Sequence, residues 1–220
     1  MPARATPGVA VDLAVFTVEA NELRVILIQM KRAPFAGKWA LPGGRILPAE
    51  TVEEAAAREL TDKTSLGDVY LEQLYTFSRL DRDPQGRCIS VAHMALVPPT
   101  ASLRTTDKYK GIGWFSVAKP PVLAFDHAEI LAYAHRRLRD KLAYTNVAYS
   151  LLPASFSLGE LQRLYEVILD EKVDPRNFQR RVLQLGMVEA TGRVRGGEAH
   201  RPARLYRFRS RKPHEIRVLG

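Results

Sequence analysis

Apolar and polar positions alternate along several stretches of the first 120 residues. Val9 to Val18 and Arg24 to Gln29 read as two strands joined by a turn at Ala20-Asn21-Glu22. Tyr70 to Phe77, Ile89 to Val97 and the short Ile112 to Phe115 predict further strands. The period then changes to that of a helix. Val52, Ala55, Ala56 and Leu60 form one apolar stripe, and Thr51 with Glu54 forms a capping box at its start. Ile130, Leu131, Ala134, Leu138 and Leu142 predict a long amphipathic helix over His127 to Leu142. Strands mixed with helices in this order predict an α/β domain over residues 1–145, with a mixed sheet.

After a short connector, Ala143 to Ser157, a second pattern begins. Ser157 and Glu160 form another capping box, followed by the stripe Leu158, Leu161, Leu164, Tyr165 and Ile168. Asp174-Pro175 is a helix start, with Asp as N-cap and Pro at the first helical position. Phe178, Val182 and Leu185 give this helix a buried face, and Gly186 ends it. Met187 to Thr191 and Ala203 to Arg209 read as strands around a glycine-rich basic tip, Gly192 to Pro202. Residues 154–220 therefore predict a small second domain: helix, turn, helix, hairpin.

Charge sharpens this division. The 220-residue chain carries a net charge of +9. Residues 176–220 hold 12 Lys/Arg against 3 Asp/Glu, and residues 1–175 hold 21 of each. All the excess positive charge thus falls in the last fifth of the chain, which points to a nucleic-acid partner. Arg176, Asn177, Arg180, Arg181 and Gln184 are left on the outer face of the second helix. Arg and Asn side chains can read base edges in the major groove. Arg193, Arg195, Arg201 and Arg204 lie in or beside the hairpin, where they can neutralise phosphate. The order of elements resembles a winged helix-turn-helix. A dimer of such a unit suits a near-palindromic double-stranded DNA operator.

Hydrophobic residues make up 46% of the chain, enough for real cores. No apolar run approaches the roughly 20 residues of a membrane span. Met1 to Gly8 is polar, without the core of a signal peptide. The single cysteine, Cys88, excludes an internal disulfide and suits a reducing cytoplasm. The five histidines show no metal-ligand spacing.

The most informative stretch starts at Leu41-Pro42-Gly43-Gly44. Glu50 follows, then Arg58-Glu59-Leu60, and then Asp62, Lys63 and Ser65. This spacing resembles the Nudix box, in which glutamates hold divalent metal against a diphosphate. Acidic residues are expected at positions 62 and 63, and a glycine at 65. Here position 63 is a lysine and position 65 a serine. On the helix, Glu59, Asp62 and Lys63 are expected within one turn, on the face opposite the apolar stripe. Three carboxylates there would hold Mg²⁺. Lys63 instead places a positive charge at the metal position, and Glu59 four residues earlier is poised to pair with it. Arg58 and Glu50 are expected to brace the loop onto the helix.

A degenerate Nudix box followed by a winged helix resembles the NrtR family of Nudix-related transcription regulators. The resemblance extends over nearly the whole chain. It includes Lys38 to Gly44, Arg82-Asp83-Pro84-Gln85-Gly86-Arg87, Ala124 to Leu131, Phe156 to Gln162 and Asp174 to Phe178. It implies a Nudix-type α/β/α sandwich followed by a winged helix, in a homodimeric bacterial repressor that binds ADP-ribose or a related metabolite. Family members often control NAD-synthesis genes, and other branches sense sugars. The expected ligand residues are Arg32, Trp39, Gly43, Gly44, Arg45, Glu59, Arg82 and Arg87. No catalytic residue and no required cofactor are expected. Glu59 and Asp62 remain as a vestigial metal pair, capable at most of weak Mg²⁺ binding. The alternatives are an active metal-dependent ADP-ribose pyrophosphatase and a sugar-sensing regulator of the same architecture.

Overall fold

The computed structural model describes residues 6–64, 69–104, 107–197, 200–216 and 218. Ser65 and the side chain of Arg201 lie outside the described set. The chain forms two compact units. One comprises the described residues up to Thr17 together with Arg24–Arg136; the other comprises Val18–Leu23 with Arg137 onward.

A mixed sheet is built from β1 (Gly8–Glu19), β2 (Glu22–Met30), β3 (Trp39–Ala40), β4 (Gly43–Arg45), β5 (Tyr70–Phe77), β6 (Cys88–Leu96) and β7 (Tyr109–Ser116). The order across the sheet is β3-β2-β1-β6-β5, with β4 pairing on β1 and β7 on β2. β1 and β6 run parallel, and their register places Asp12 opposite Ala92. Ala20 and Asn21 both take positive φ, the geometry of a tight hairpin turn, where the sequence predicts a turn.

Helix α1 (Val52–Thr64) covers one face of this sheet. Its Ala55, Ala56 and Leu60 pack on Val11, Leu13, Val15, Ile26, Ala95 and Val97. Side chains alternate along a strand, so Asp12, Ala14 and Phe16 point to the other face. There the start of α2 (His127–Tyr144) meets the sheet, with His127 against Asp12.

Only part of the charged face expected on α1 reaches the surface. Asp62 is exposed, but Glu59 and Lys63 are buried at 3% and 1% exposure. The reason is helical phase. Glu59 is four residues after Ala55, and Lys63 is seven after Ala56, so both share the apolar stripe rather than oppose it.

The second unit contains a one-turn 3-10 helix, Val147–Ser150, inside the stretch read as a connector. Two helices follow, α3 (Leu158–Leu169) and α4 (Pro175–Gln184), and then the hairpin β8 (Val188–Gly197) and β9 (His200–Phe208). The whole predicted stripe of α3 is buried. Ser157 and Glu160 make the reciprocal capping bonds, and Asp174 caps α4 by accepting from Asn177 N–H at 2.8 Å. Tyr165 and Phe178 rings, 5.0 Å apart, join the two helices. Gly186 follows α4 with φ +64°, the left-handed position a helix stop favours. The strands extend further than expected. Gly192 to Gly197 belongs to β8, with register shifts after Ala190 and after Arg195, so the tip is shorter than the glycines suggest.

Candidate ligand site and nucleic-acid interface

The loop before α1 is fixed by two side-chain networks. In the first, Thr51 and Glu54 exchange capping bonds, and Arg58 reaches back along the helix. Arg58 Nε donates to Glu50 at 2.5 Å, its Nη1 to Glu59 at 2.6 Å and its Nη2 to the Arg45 carbonyl at 3.3 Å. The Glu50 hydrogen bond above all raises the pKa of Arg58, with Glu59 adding to it against the opposing effect of burial. Arg58 and Glu50 thus brace the loop, as the sequence predicts.

The second partner of Glu59 is Lys63, whose Nζ lies 3.6 Å from Oε2. The ammonium also sits 4.8 Å from the centre of the Tyr109 ring, within cation–π range. Burial, with help from Glu59 and Asp62, pushes the Tyr109 hydroxyl up to about 12, so it is a neutral donor, to the Gly43 carbonyl at 3.3 Å.

On the other face of the sheet, Gly43, Gly44, Arg45 and Arg82 line a cavity of about 150 Å³ together with Asp12, Tyr109, Phe125 and His127. The register of β4 on β1, Asp12 opposite Gly43, brings these residues together. A side chain at position 43 would collide with the Val11 carbonyl, and one at 44 with the Glu59 carboxylate. Gly43 is therefore required by the close approach of backbone, whereas at Gly44 the obstacle is the end of the Glu59 side chain.

The charged lining of this cavity is already paired. Arg82 Nε and Nη2 donate to the two Asp126 oxygens at 2.9 and 2.8 Å, and Nη2 also donates to Asp12 at 3.0 Å. Ser90 Oγ donates to Asp12 at 2.6 Å. Leu41 N–H donates to His127 Nδ1 at 2.9 Å, which leaves Nε2 to carry the proton facing Asp12 Oδ1 at 3.4 Å. Burial alone would raise the Asp12 carboxyl. His127, Ser90 and Arg82 outweigh it and hold the group down to about 2.

Four of the eight expected ligand residues therefore meet in one place, and four do not. Gly43, Gly44, Arg45 and Arg82 share the cavity, although Arg82 is a buried ion-pair partner. Glu59 lies behind Gly44, engaged by Arg58 and Lys63. Arg32 is exposed on a loop. Trp39 packs its ring 4.4 Å from Phe115. Arg87 donates to the carbonyls of Arg79 and Cys88, so it braces its own loop. Asp12, Ser90, Tyr109, Asp126 and His127 were missed. The sequence held one signal: Asp12 is a lone carboxylate within the apolar run Val9 to Val18.

In the second unit, Arg176, Asn177, Arg180, Arg181 and Gln184 are all exposed on α4, while Phe178 and Val182 are buried. Arg180 Nη2 donates to Asn177 Oδ1 at 2.9 Å. Arg193, Arg195 and Arg204 are exposed on the hairpin, and Arg195 pairs with Glu160 at 2.8 Å.

Comparison with known proteins matches both units. Residues 7–137 match the NUDIX domain, and residues 148–208 match the NrtR DNA-binding winged helix domain. The chain is 36% identical over 207 residues to an ADPR responsive transcriptional repressor NtrR of Acinetobacter baylyi, covering 92% of this chain and 82% of that protein. It is similar to the crystal structure of Shewanella oneidensis NrtR complexed with a 27mer DNA. That similarity is 34% identity and a TM-score of 0.81, over 91% of this chain and 93% of that one. The NUDIX domain of the same Shewanella protein, complexed with ADP ribose, matches at 32% identity and a TM-score of 0.55, over 63% and 93% of the two chains.

A Nudix domain followed by a DNA-binding winged helix defines a class of two-domain regulators. The chain belongs to the NrtR family within it.

Proposed function

We propose that this protein is a transcriptional repressor that binds double-stranded DNA through α4 and the β8–β9 hairpin and responds to ADP-ribose held by its Nudix domain. The observation that carries the reading is the pairing, in one chain, of a cavity beside the Nudix loop at Gly43-Gly44 with an exposed basic helix. The likeness to an ADPR-responsive repressor over 92% of the chain supports it. Control of NAD-metabolism genes, action as a homodimer and a cytoplasmic setting belong to the same proposal.

The sensing domain works without hydrolysis in this reading. Catalysis in a Nudix box needs clustered carboxylates to hold metal. Here the donor set does not fit a resident divalent ion, because Arg58 and Lys63 both engage the Glu59 carboxylate. Lys63 thus satisfies inside the protein the charge that a metal would otherwise neutralise.

The test is fluorescence anisotropy on DNA from upstream of the protein's own gene and its neighbours, at fixed salt, with and without ADP-ribose. Sequence-specific binding that ADP-ribose weakens is the expected result. Binding without sequence preference would refute the repressor, and specific binding indifferent to ADP-ribose would refute the ligand.

A further inference from the structure

The exposed face of α4 is not uniformly polar. A helix advances about 100° per residue, so positions 176, 180, 183 and 184 share one stripe. Arg176, Arg180 and Gln184 on this stripe are exposed and polar, whereas Leu183 among them is 46% exposed. The helix packs through its other side, by Phe178 and Val182, so Leu183 is not a core residue.

A single exposed leucine needs no account in general. This one stands out by its neighbours. It follows Arg180 by one turn, and Asn177 holds the Arg180 guanidinium at 2.9 Å. The major groove presents polar base edges and one apolar group, the C5-methyl of thymine. A leucine set among polar base-reading side chains matches that pattern. Three residues of helix rise about 4.5 Å, close to the ~3.4 Å between successive base pairs.

We infer that Leu183 is a specificity-determining residue: it packs on a thymine methyl about one base pair from the base edge that Arg180 reads. The inference rests on the reading of α4 as the DNA-contacting helix.

The experiment uses the full chain and the duplex it selects from random-sequence DNA. That duplex is resynthesised with deoxyuridine replacing each thymine in turn, which removes only the methyl group. The wild-type protein should lose about three- to fivefold in affinity at one thymine position, the effect of one buried methyl. Leu183→Ala should bind the thymine duplex weaker by a similar factor and be indifferent to deoxyuridine there. Leu183→Met should retain the sensitivity. All three proteins should share one salt dependence, because no phosphate contact changes. The inference is overturned if wild-type binding ignores every substitution, or if Leu183→Ala stays sensitive at the same thymine. Failure to select any duplex is a different result, which removes the DNA-binding reading as well.

Discussion

Lys63 Nζ lies 3.6 Å from the Glu59 carboxylate, and both side chains are buried, with the carboxylate against Gly44 of β4. The pair is one turn apart on α1, with the acidic residue N-terminal, the favourable orientation. Arg58 adds a second cation at 2.6 Å and Tyr109 a ring face to the ammonium. Glu59 thus sits in a site whose positive charge is supplied by the protein itself.

That arrangement predicts how the helix responds to metal. Millimolar MgCl₂ should leave the melting temperature of the wild-type protein unchanged. Lys63→Glu places two carboxylates together in a buried setting, with the loss of the ion pair costing roughly 3 kcal/mol. The variant should melt lower than wild type and recover in MgCl₂ as the ion replaces the lysine charge. Differential scanning calorimetry with and without Mg²⁺ decides it. A similar Mg²⁺-dependent rise in both proteins would mean that Lys63 does not stand in for a cation.

Asp12 sets part of the acid limit of the first unit. Its folded pKa is held at about 2 by His127, Ser90 and Arg82, against burial. A carboxyl with a depressed folded pKa contributes stability at neutral pH, and that stability is lost as pH falls through the interval between its unfolded and folded values. The loss should run from about pH 5 to pH 2 and amount to roughly 2 kcal/mol. Urea denaturation across this range, compared with Asp12→Asn, measures it. The variant should be less stable at pH 7 and show a flatter acid limb. Parallel curves for the two proteins would remove Asp12 from the account.

How far the sequence was legible depended on whether a feature was local. Capping pairs, such as Ser157 with Glu160 and Asp174 with Asn177, are spaced three residues apart and could be read directly. So could the Glu59–Lys63 pair and the exposure of Arg176 and Arg180. The Arg82 cluster could not. Its members Asp12, Arg82 and Asp126 are separated by 70 and 44 residues and meet only through the parallel pairing of β1 with β6 and the entry of α2. The same long-range geometry makes Arg82, expected as a ligand residue, a buried ion-pair partner. Helical phase, by contrast, is local, and it places Glu59 and Lys63 on the apolar stripe with Ala55 and Ala56 rather than opposite it.

Gly43 offers a test of the cavity that leaves every charged residue in the sequence unchanged. A Cβ at this position meets the Val11 carbonyl and lies 2.5 Å from an Asp12 oxygen. The obstacle is backbone, so β4 must shift away from β1. Gly43→Ala should cost about 1–3 kcal/mol in stability, the usual range for overpacking. It should also weaken ADP-ribose binding at least tenfold by isothermal titration calorimetry. Wild-type affinity in the variant would place the ligand away from this cavity.

Glu160 restrains one of the hairpin arginines. Its Oε2 accepts from Ser157 N–H at 2.7 Å in the capping box, while Oε1 accepts from Arg195 at 2.8 Å. Burial raises the Glu160 carboxyl, and Ser157 and Arg195 outweigh it and lower the pKa. Glutamine can serve the same capping position. Glu160→Gln therefore keeps the helix start but removes the ion pair and one negative charge near the hairpin. Arg195 then becomes available to a phosphate. DNA affinity should rise severalfold at low salt, and the slope of log affinity against log salt should steepen by about one. Arg195→Ala in the Glu160→Gln background should return the slope to that of the wild type. A slope unchanged by Glu160→Gln would show that Arg195 does not meet the DNA backbone.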